Sequence, residues 1–196
     1  MPEYENRTRK GLDAALRELL KQKPLNQIRV RELTELCGLR RQSFYYHFED
    51  VYELFHWSVQ RERELLLQRQ EECLTWRQAL LDLLDRAAAE RSFYRAVLDR
   101  EGQPGLEAAV PLEAVLEAIQ TYYRDRQGKH LDPEREELER RRGRAMLLSL
   151  LEVWVRGGLA LPSEEITGSL ERIIEQSAVG IMWQTLREHA EWNWTP

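Results

Sequence analysis

The stretch GLRRQSFYYHF, residues 38–48, gathers side chains able to read an anionic polymer. Arg40 and Arg41 open a predicted short helix, Gln42 and Ser43 follow, and Phe44, Tyr45, Tyr46, His47 and Phe48 complete it. Arginine can donate bidentately to guanine O6 and N7, and glutamine can pair the same way with adenine N6 and N7. Tyrosine hydroxyls and His47 can reach phosphates, which set register without carrying sequence information. Two arginines in a first turn oppose the helix dipole, at about 0.3–1 kcal/mol each on an exposed surface. A helix that enters the major groove has a use for them that outweighs this cost. On a helical wheel Phe44 and Phe48 share one face. Gln42 and Tyr46 lie opposite, Ser43 and His47 beside them, and Arg41 and Tyr45 on the flank. Arg9, Lys10 and Arg31 add positive charge from the preceding helices. The competing reading is a plain aromatic core stripe with incidental arginines, and the segment alone leaves both open.

The elements that must carry this segment follow from apolar spacing. Leu12, Ala15, Leu16, Leu19 and Leu20 recur at helical intervals, and Pro24 closes that first helix. A second runs from about Val30 to Cys37, Gly38 breaks it, and a third runs from about Arg40 to His47, which together read as a helix-turn-helix. Asp50 caps a fourth, with Glu53 three residues later completing a capping box, and it continues to about Gln70. Trp76, Leu80, Leu83, Leu84 and Ala87 mark a fifth, and Phe93 to Leu98 a shorter sixth. EGQPG, residues 101–105, reads as a turn. Pro111 opens a seventh. Asp132-Pro133-Glu134 starts an eighth that ends at Gly157-Gly158, and Pro162-Ser163-Glu164-Glu165 starts a ninth reaching about His189. No period-two alternation of β-branched residues interrupts this all-α pattern.

Composition agrees. The apolar fraction of 42% suffices for a core, and 32% charged residues with only 10 glycines and 7 prolines suit helices. Residues 1–50 carry ten Lys/Arg against eight Asp/Glu, while the remainder carries 19 against 26. A mildly basic head on an acidic body directs the head alone at an anionic partner. Cys37 and Cys73 form no spacing motif and read as free thiols of a reducing compartment. The N-terminal residues lack the apolar stretch of a signal peptide, and no run approaches the roughly 18 apolar residues of a membrane span. A cytoplasmic location without membrane contact is expected.

Beyond these local readings, residues 12–54 resemble the DNA-binding domain of the TetR/AcrR family of bacterial transcriptional regulators. The matching residues are Ile28-Arg29-Val30-Arg31-Glu32-Leu33, Cys37-Gly38-Leu39 and Phe44-Tyr45-Tyr46-His47-Phe48. RRQSFYYHFEDVYEL is most similar to the branch typified by dihydroxyacetone-kinase operon regulators, and LEVWVRGGLALPSEEI (151–166) more weakly resembles that branch's penultimate-to-last helix junction. The resemblance implies a nine-helix fold: a three-helix helix-turn-helix domain at 1–50 and a helical effector and dimerisation domain at 51–196. It places Arg31, Arg41, Gln42 and Ser43 at base or groove contacts, and Tyr45, Tyr46 and His47 at backbone contacts. The chain departs from the pattern at Arg29 and Arg40, where many members carry a Ser or Thr cap; both lose capping and gain cationic reach. Val51 stands where a lysine commonly meets phosphate.

A homodimer on a palindromic operator is the expected assembly, since one helix-turn-helix covers one half-site. The eighth helix is apolar nearly all round from Ala145 to Val155, as for a helix covered on two sides. Leu147, Leu151 and Trp154 there, with Ile166, Leu170, Ile173, Ser177 and Ile181 on the ninth, form the candidate dimer surface. Both helices could instead be internal core. Trp57, Trp76, Phe93, Tyr122, Tyr123 and Trp154 are candidates for lining an effector cavity between helices four and eight, or else plain core. The effector is unnamed, and a partner protein could take its place. The repressor reading has as rivals an activator or an adaptor. Enzyme classes are disfavoured: Glu53-Leu54-Phe55-His56 supplies one Glu-x-x-His where a di-iron bundle needs two. No GxSxG or HExxH occurs, and no cofactor or metal is expected.

Overall fold

The computed structural model describes residues 3–70, 73, 75–127 and 133–173. Among them all regular structure is helical. Helix α1 spans Glu3–Leu20, α2 Val30–Leu36, α3 Arg41–Tyr45, α4 Val51–Gln70, α5 Trp76–Ala89, α6 Arg91–Ala109, α7 Leu112–Gln127 and α8 Pro133–Arg156. Residues 163–173 are the described part of a ninth helix, α9. Residues Met1–Ala160 form one compact unit and Leu161–Pro196 a second.

Local chemistry accounts for most boundaries. Pro24 precedes a single 3-10 turn, Leu25–Gln27, which carries the chain from α1 to α2. Asp50 caps α4 by accepting from the backbone N–H groups of Tyr52 and Glu53 at 2.8 and 2.9 Å. Glu53 reaches back as expected, but to the N–H of Glu49 rather than that of Asp50. Thr75 caps α5, its hydroxyl accepting from Gln78 N–H at 3.2 Å. α8 ends in a Schellman closure, with Leu159 N–H bonded to Trp154 C=O at 3.0 Å and Gly158 N–H to Val155 C=O at 3.2 Å.

The expected turn at EGQPG proves to be a break within one longer element. α6 runs to Ala109 and is interrupted at Gly102, whose φ of 62° and ψ of −150° only glycine adopts readily. Helical spacing resumes beyond Pro104, so Leu106 and Ala109 are buried like Val97 and Leu98 before the break.

α1 packs against α2, α4 and α6 together. Its apolar stripe, Leu12, Ala15, Leu16, Leu19 and Leu20, is buried. α2 packs on α3, α4 on α5 and α6, α6 on α8, and α7 on α5 and α8. Burying each leucine or phenylalanine of this core contributes about 1.5–3 kcal/mol relative to leaving it in water. The division of roles at residue 50 remains a proposal, since α1 is shared between the head (α1–α3) and the helices that follow.

Candidate nucleic-acid interface

The third helix is short because its two ends are made by different means. Before it, α2 ends in a second Schellman closure: Leu39 N–H bonds Thr34 C=O at 2.8 Å, and Gly38 N–H bonds Glu35 C=O at 3.2 Å. Gly38 sits at φ +64°, the left-handed conformation this closure requires. Arg40 then occupies the N-cap position of α3 in extended conformation, with no side-chain cap bond. After Tyr45 the chain makes a further turn, with Tyr46 N–H to Gln42 C=O at 3.1 Å and Phe48 N–H to Phe44 C=O at 3.0 Å. That turn keeps Phe44 and Phe48 on one side, 5.9 Å apart between ring centroids. They are 0% and 3% exposed and anchor the helix in the core with Leu33 and Leu54.

Everything opposite that anchor faces outward. Arg40, Arg41 and Gln42 are exposed, and Tyr45 and Tyr46 are 58% and 73% exposed. Ser43 and His47 are half-buried, His47 edge-on to the Tyr46 ring at 5.0 Å. Among the described residues Arg40 and Arg41 have no acidic partner within ion-pair reach. Arg29, at the N-cap of α2, is exposed and likewise gives no side-chain cap. There Glu32 serves instead, accepting from Arg29 N–H at 3.0 Å. Arg31 is exposed and bonded to Glu35 at 2.6 Å. Lys10 is exposed, while Arg9 is half-buried with its guanidinium over the Phe48 ring at 5.5 Å. Val51, where a phosphate-contacting lysine would stand, is buried. Of the eleven residues singled out in sequence, Arg9, Ser43 and His47 are half-buried and the other eight are exposed.

Four of the six candidate cavity aromatics enter ring contacts. Trp57 packs edge-on to Phe48 at 5.9 Å, at the base of the head. Trp76 meets Tyr122 at 6.4 Å, and Phe93 lies between Phe55 and Tyr94, both at 5.7 Å. Trp154 is buried, and the side chain of Tyr123 lies outside the described residues. An open groove of about 530 Å³ lies on the head, lined by Arg7, Gly11, Ala14, Leu36 and Leu39 among others. Of the candidate dimer residues, Leu147, Leu151, Trp154, Ile166 and Leu170 are 0–7% exposed within the single chain. Leu147, Leu151 and Trp154 are buried on α8, and the dimer contact stays a proposal. An all-round apolar helix gives no local sign of which face its own chain will cover. Ile173 is 46% exposed, and Ser177 and Ile181 lie outside the described residues. Among the described residues no group of three or more His, Cys, Asp or Glu is placed to hold a metal. His56 sits 3.1 Å from Glu101.

The sequence reading missed a buried ionic cluster at the root of the head. Glu62 of α4 has no exposed surface. Its Oε1 accepts from Arg86 Nε at 2.7 Å and from the Tyr94 hydroxyl at 3.2 Å. Its Oε2 accepts from Arg86 and Arg17 guanidinium nitrogens, both at 2.9 Å. Both oxygens are thus filled. Arg17, on α1, also bonds Asp13 at 3.1 Å, stands 3.2 Å from Glu90, and covers the Phe93 ring at 4.0 Å. Arg61 bonds the other oxygen of Asp13 at 2.6 Å. Burial pushes the Glu62 carboxyl up, but the hydrogen bonds from Arg86 and the charges of Arg17 and Arg86 outweigh it and hold Glu62 below the usual carboxylate range. Burial, then the neighbouring Glu62 charge, pushes the Tyr94 hydroxyl well above its usual value, so it stays a donor. A signal existed: Glu62 falls on the buried stripe of Phe55, Ser58, Val59 and Leu66, where a carboxylate must have partners.

No family model matches the chain. The HTH-type dhaKLM operon transcriptional activator DhaS of Lactococcus lactis is 27% identical over 90 residues, covering 46% of this chain and 48% of that protein. The match thus spans about half the length of that curated relative. Among solved structures, the dihydroxyacetone kinase operon activator DhaS has a TM-score of 0.73 at 18% identity, over 87% of this chain and 96% of that one. A tetR-family transcriptional regulator from Streptomyces coelicolor has a TM-score of 0.59 at 16% identity, over 93% and 83%. FadR from Bacillus subtilis, a transcriptional regulator in complex with stearoyl-CoA, has 0.60 at 13%, over 84% and 96%. The chain has the all-helical TetR-like fold, and the proteins it resembles are transcriptional regulators rather than enzymes.

Proposed function

We propose that this TetR-fold chain is a DNA-binding transcriptional regulator that acts as a homodimer on a palindromic operator and answers to an effector held by residues 51–196. The observation that carries the reading is the tip of the head: Arg41, Gln42, Tyr45 and Tyr46 stand exposed above a buried Phe44–Phe48 anchor. That arrangement supplies bidentate donors for base edges and hydroxyls for phosphates on a rigid support. Had the aromatic segment been only core, Tyr45 and Tyr46 would be buried with Phe44.

Selection of bound duplexes from a random DNA pool tests this. An enriched palindrome with half-sites about one helical turn apart, or a multiple of it, is the expected outcome. A pool that stays random overturns the reading. Repeating the selection with a crude metabolite extract asks whether something small releases the duplex. Binding should weaken with salt, log affinity falling by about 0.9 per neutralised phosphate for each log unit of salt.

For the dimer, the face of α8 left open is Ala145, Ser149 and Val153, four residues apart, with Val153 71% exposed. Small side chains at this spacing let a second helix approach closely, and this face replaces Leu147, Leu151 and Trp154 as the proposed contact. Light scattering after size exclusion should give twice the chain mass, and Val153→Glu should shift it toward monomer. Effector binding would change the separation of the two heads through α4, uncoupling one from its half-site. Repression relieved by the effector is the proposed sign. The named relative is an activator, so a reporter downstream of the selected duplex decides it: rising expression on deletion of the regulator means repression.

A further inference from the structure

The contacts at the root of the head form one connected path. Arg9 lies over Phe48, Phe48 meets Trp57 at 5.9 Å, and Trp57 lies under Arg61 at 5.6 Å. Arg61 bonds Asp13, Asp13 bonds Arg17, and Arg17 bonds Glu62. Glu62 in turn holds Arg86 of α5 and Tyr94 of α6. The path begins behind the outward face of α3 and ends two helices into the body. Within its ion-paired part the charges balance, with Arg17, Arg61 and Arg86 against Asp13, Glu62 and Glu90.

A buried ion cluster is a poor way to gain stability, because desolvation cancels most of the attraction; apolar side chains of similar size do as well or better. What it supplies is geometry. A guanidinium fork aligned on several carboxylates accepts one arrangement, where a greasy contact tolerates sliding. This cluster joins α1 to α4, α5 and α6, so the arrangement it selects is the setting of the head on the body.

We propose that Glu62 and Arg17 are positioning residues for operator recognition: they touch no DNA, and their buried fork fixes the angle of the head, and with it the placement of Arg41 and Gln42 in the groove. The inference rests on the reading of the chain as a dimeric regulator. A dimer reads two half-sites at a set spacing, so each head must be held at a set angle. Random-sequence duplexes make no such demand, since a head that wavers still finds phosphates.

The test compares affinity for the selected duplex with affinity for a random duplex of equal length, by fluorescence anisotropy on the full chain. In Arg17→Met with Glu62→Met the cluster loses one charge of each sign and gains apolar packing. The expected result is a fold preserved by circular dichroism, nearly unchanged affinity for the random duplex, and a selected-to-random ratio reduced about tenfold or more. Loss of stability alone would lower both affinities equally and leave the ratio unmoved. Spin labels on the native Cys37 and Cys73, one on each side of the cluster, should show a broadened distance distribution in the same variant. A ratio within about twofold of the parent, in a folded variant, overturns the proposal. Should that variant not fold, Arg17→Lys keeps the charge and loses the fork, and is read by the same ratio: a fall supports the proposal and an unchanged ratio ends it. If the parent selects no sequence, the regulator reading itself has failed, and that outcome is distinct from an unchanged ratio.

Discussion

Arginines at the tip of the head and arginines at its root live under opposite conditions. Arg40 and Arg41 are exposed and, among the described residues, lack an acidic partner within ion-pair reach. Arg17 is 10% exposed at its side chain, ringed by Asp13, Glu62 and Glu90, and seated on Phe93. Its guanidinium is held above its usual value; burial works against this and the three carboxylates override it. One population keeps its donors available for something outside the chain, and the other turns its charge inward onto carboxylates. A side chain's surroundings, more than its identity, decide whether it recognises a ligand or sets an angle.

The contrast can be broken most severely at the root. Glu62→Ala leaves Arg17 and Arg86 facing a void without their shared acceptor, and thermal melts should show a loss of about 3–5 kcal/mol. The same group sets an acid limb. Its folded-state value lies below the ordinary 4.5. Its contribution is therefore fully present above that ordinary value and lost as pH falls through the lower folded one. Melts taken from about pH 6 down to pH 3 should show stability declining, and Glu62→Gln should flatten that decline.

At the tip the same kind of change should spare the fold. Arg41→Ala with Gln42→Ala is expected to keep the melting temperature and lose about 1–3 kcal/mol of operator binding per bidentate base contact removed. Unchanged anisotropy titrations would mean these side chains read nothing. Between the two lies Gly38, whose φ of +64° costs an alanine about 1–2 kcal/mol. Gly38→Ala should lower the melting temperature modestly and weaken DNA binding in step, since the turn carries α3. The smallest effect belongs to the exposed Arg31–Glu35 pair. Glu35→Gln should change stability hardly at all and raise affinity for any duplex by no more than about twofold, by releasing Arg31.

Much of the tip was legible in the residues. Gly38 marked the break, Phe44 and Phe48 four residues apart marked the anchored face, and Tyr46 opposite them stands outward as the wheel required. Asp50 and Gly157-Gly158 named their helix ends because caps and closures are made by neighbouring residues. The long α6 was less legible. EGQPG has turn chemistry, yet a single left-handed glycine satisfies it and the helix resumes, held by burial of Leu106 and Ala109. The ring contacts of Trp57, Trp76, Tyr122 and Phe93 were not legible, since aromatic content says nothing of which ring meets which.

The sequence alone determined most helix ends, though not the length of α6, and which face of α3 turns outward, because those depend on bonds and spacings within one or two turns. The tertiary structure decided which side of α8 the chain covers with its own core. It also brought Arg17 to Glu62 across 45 residues and Arg61 to Asp13 across 48. A periodicity of 3.6 residues says that a face is apolar or charged, but only the packed arrangement of helices says what stands opposite it. For a buried carboxylate, that opposite group is the whole of its chemistry.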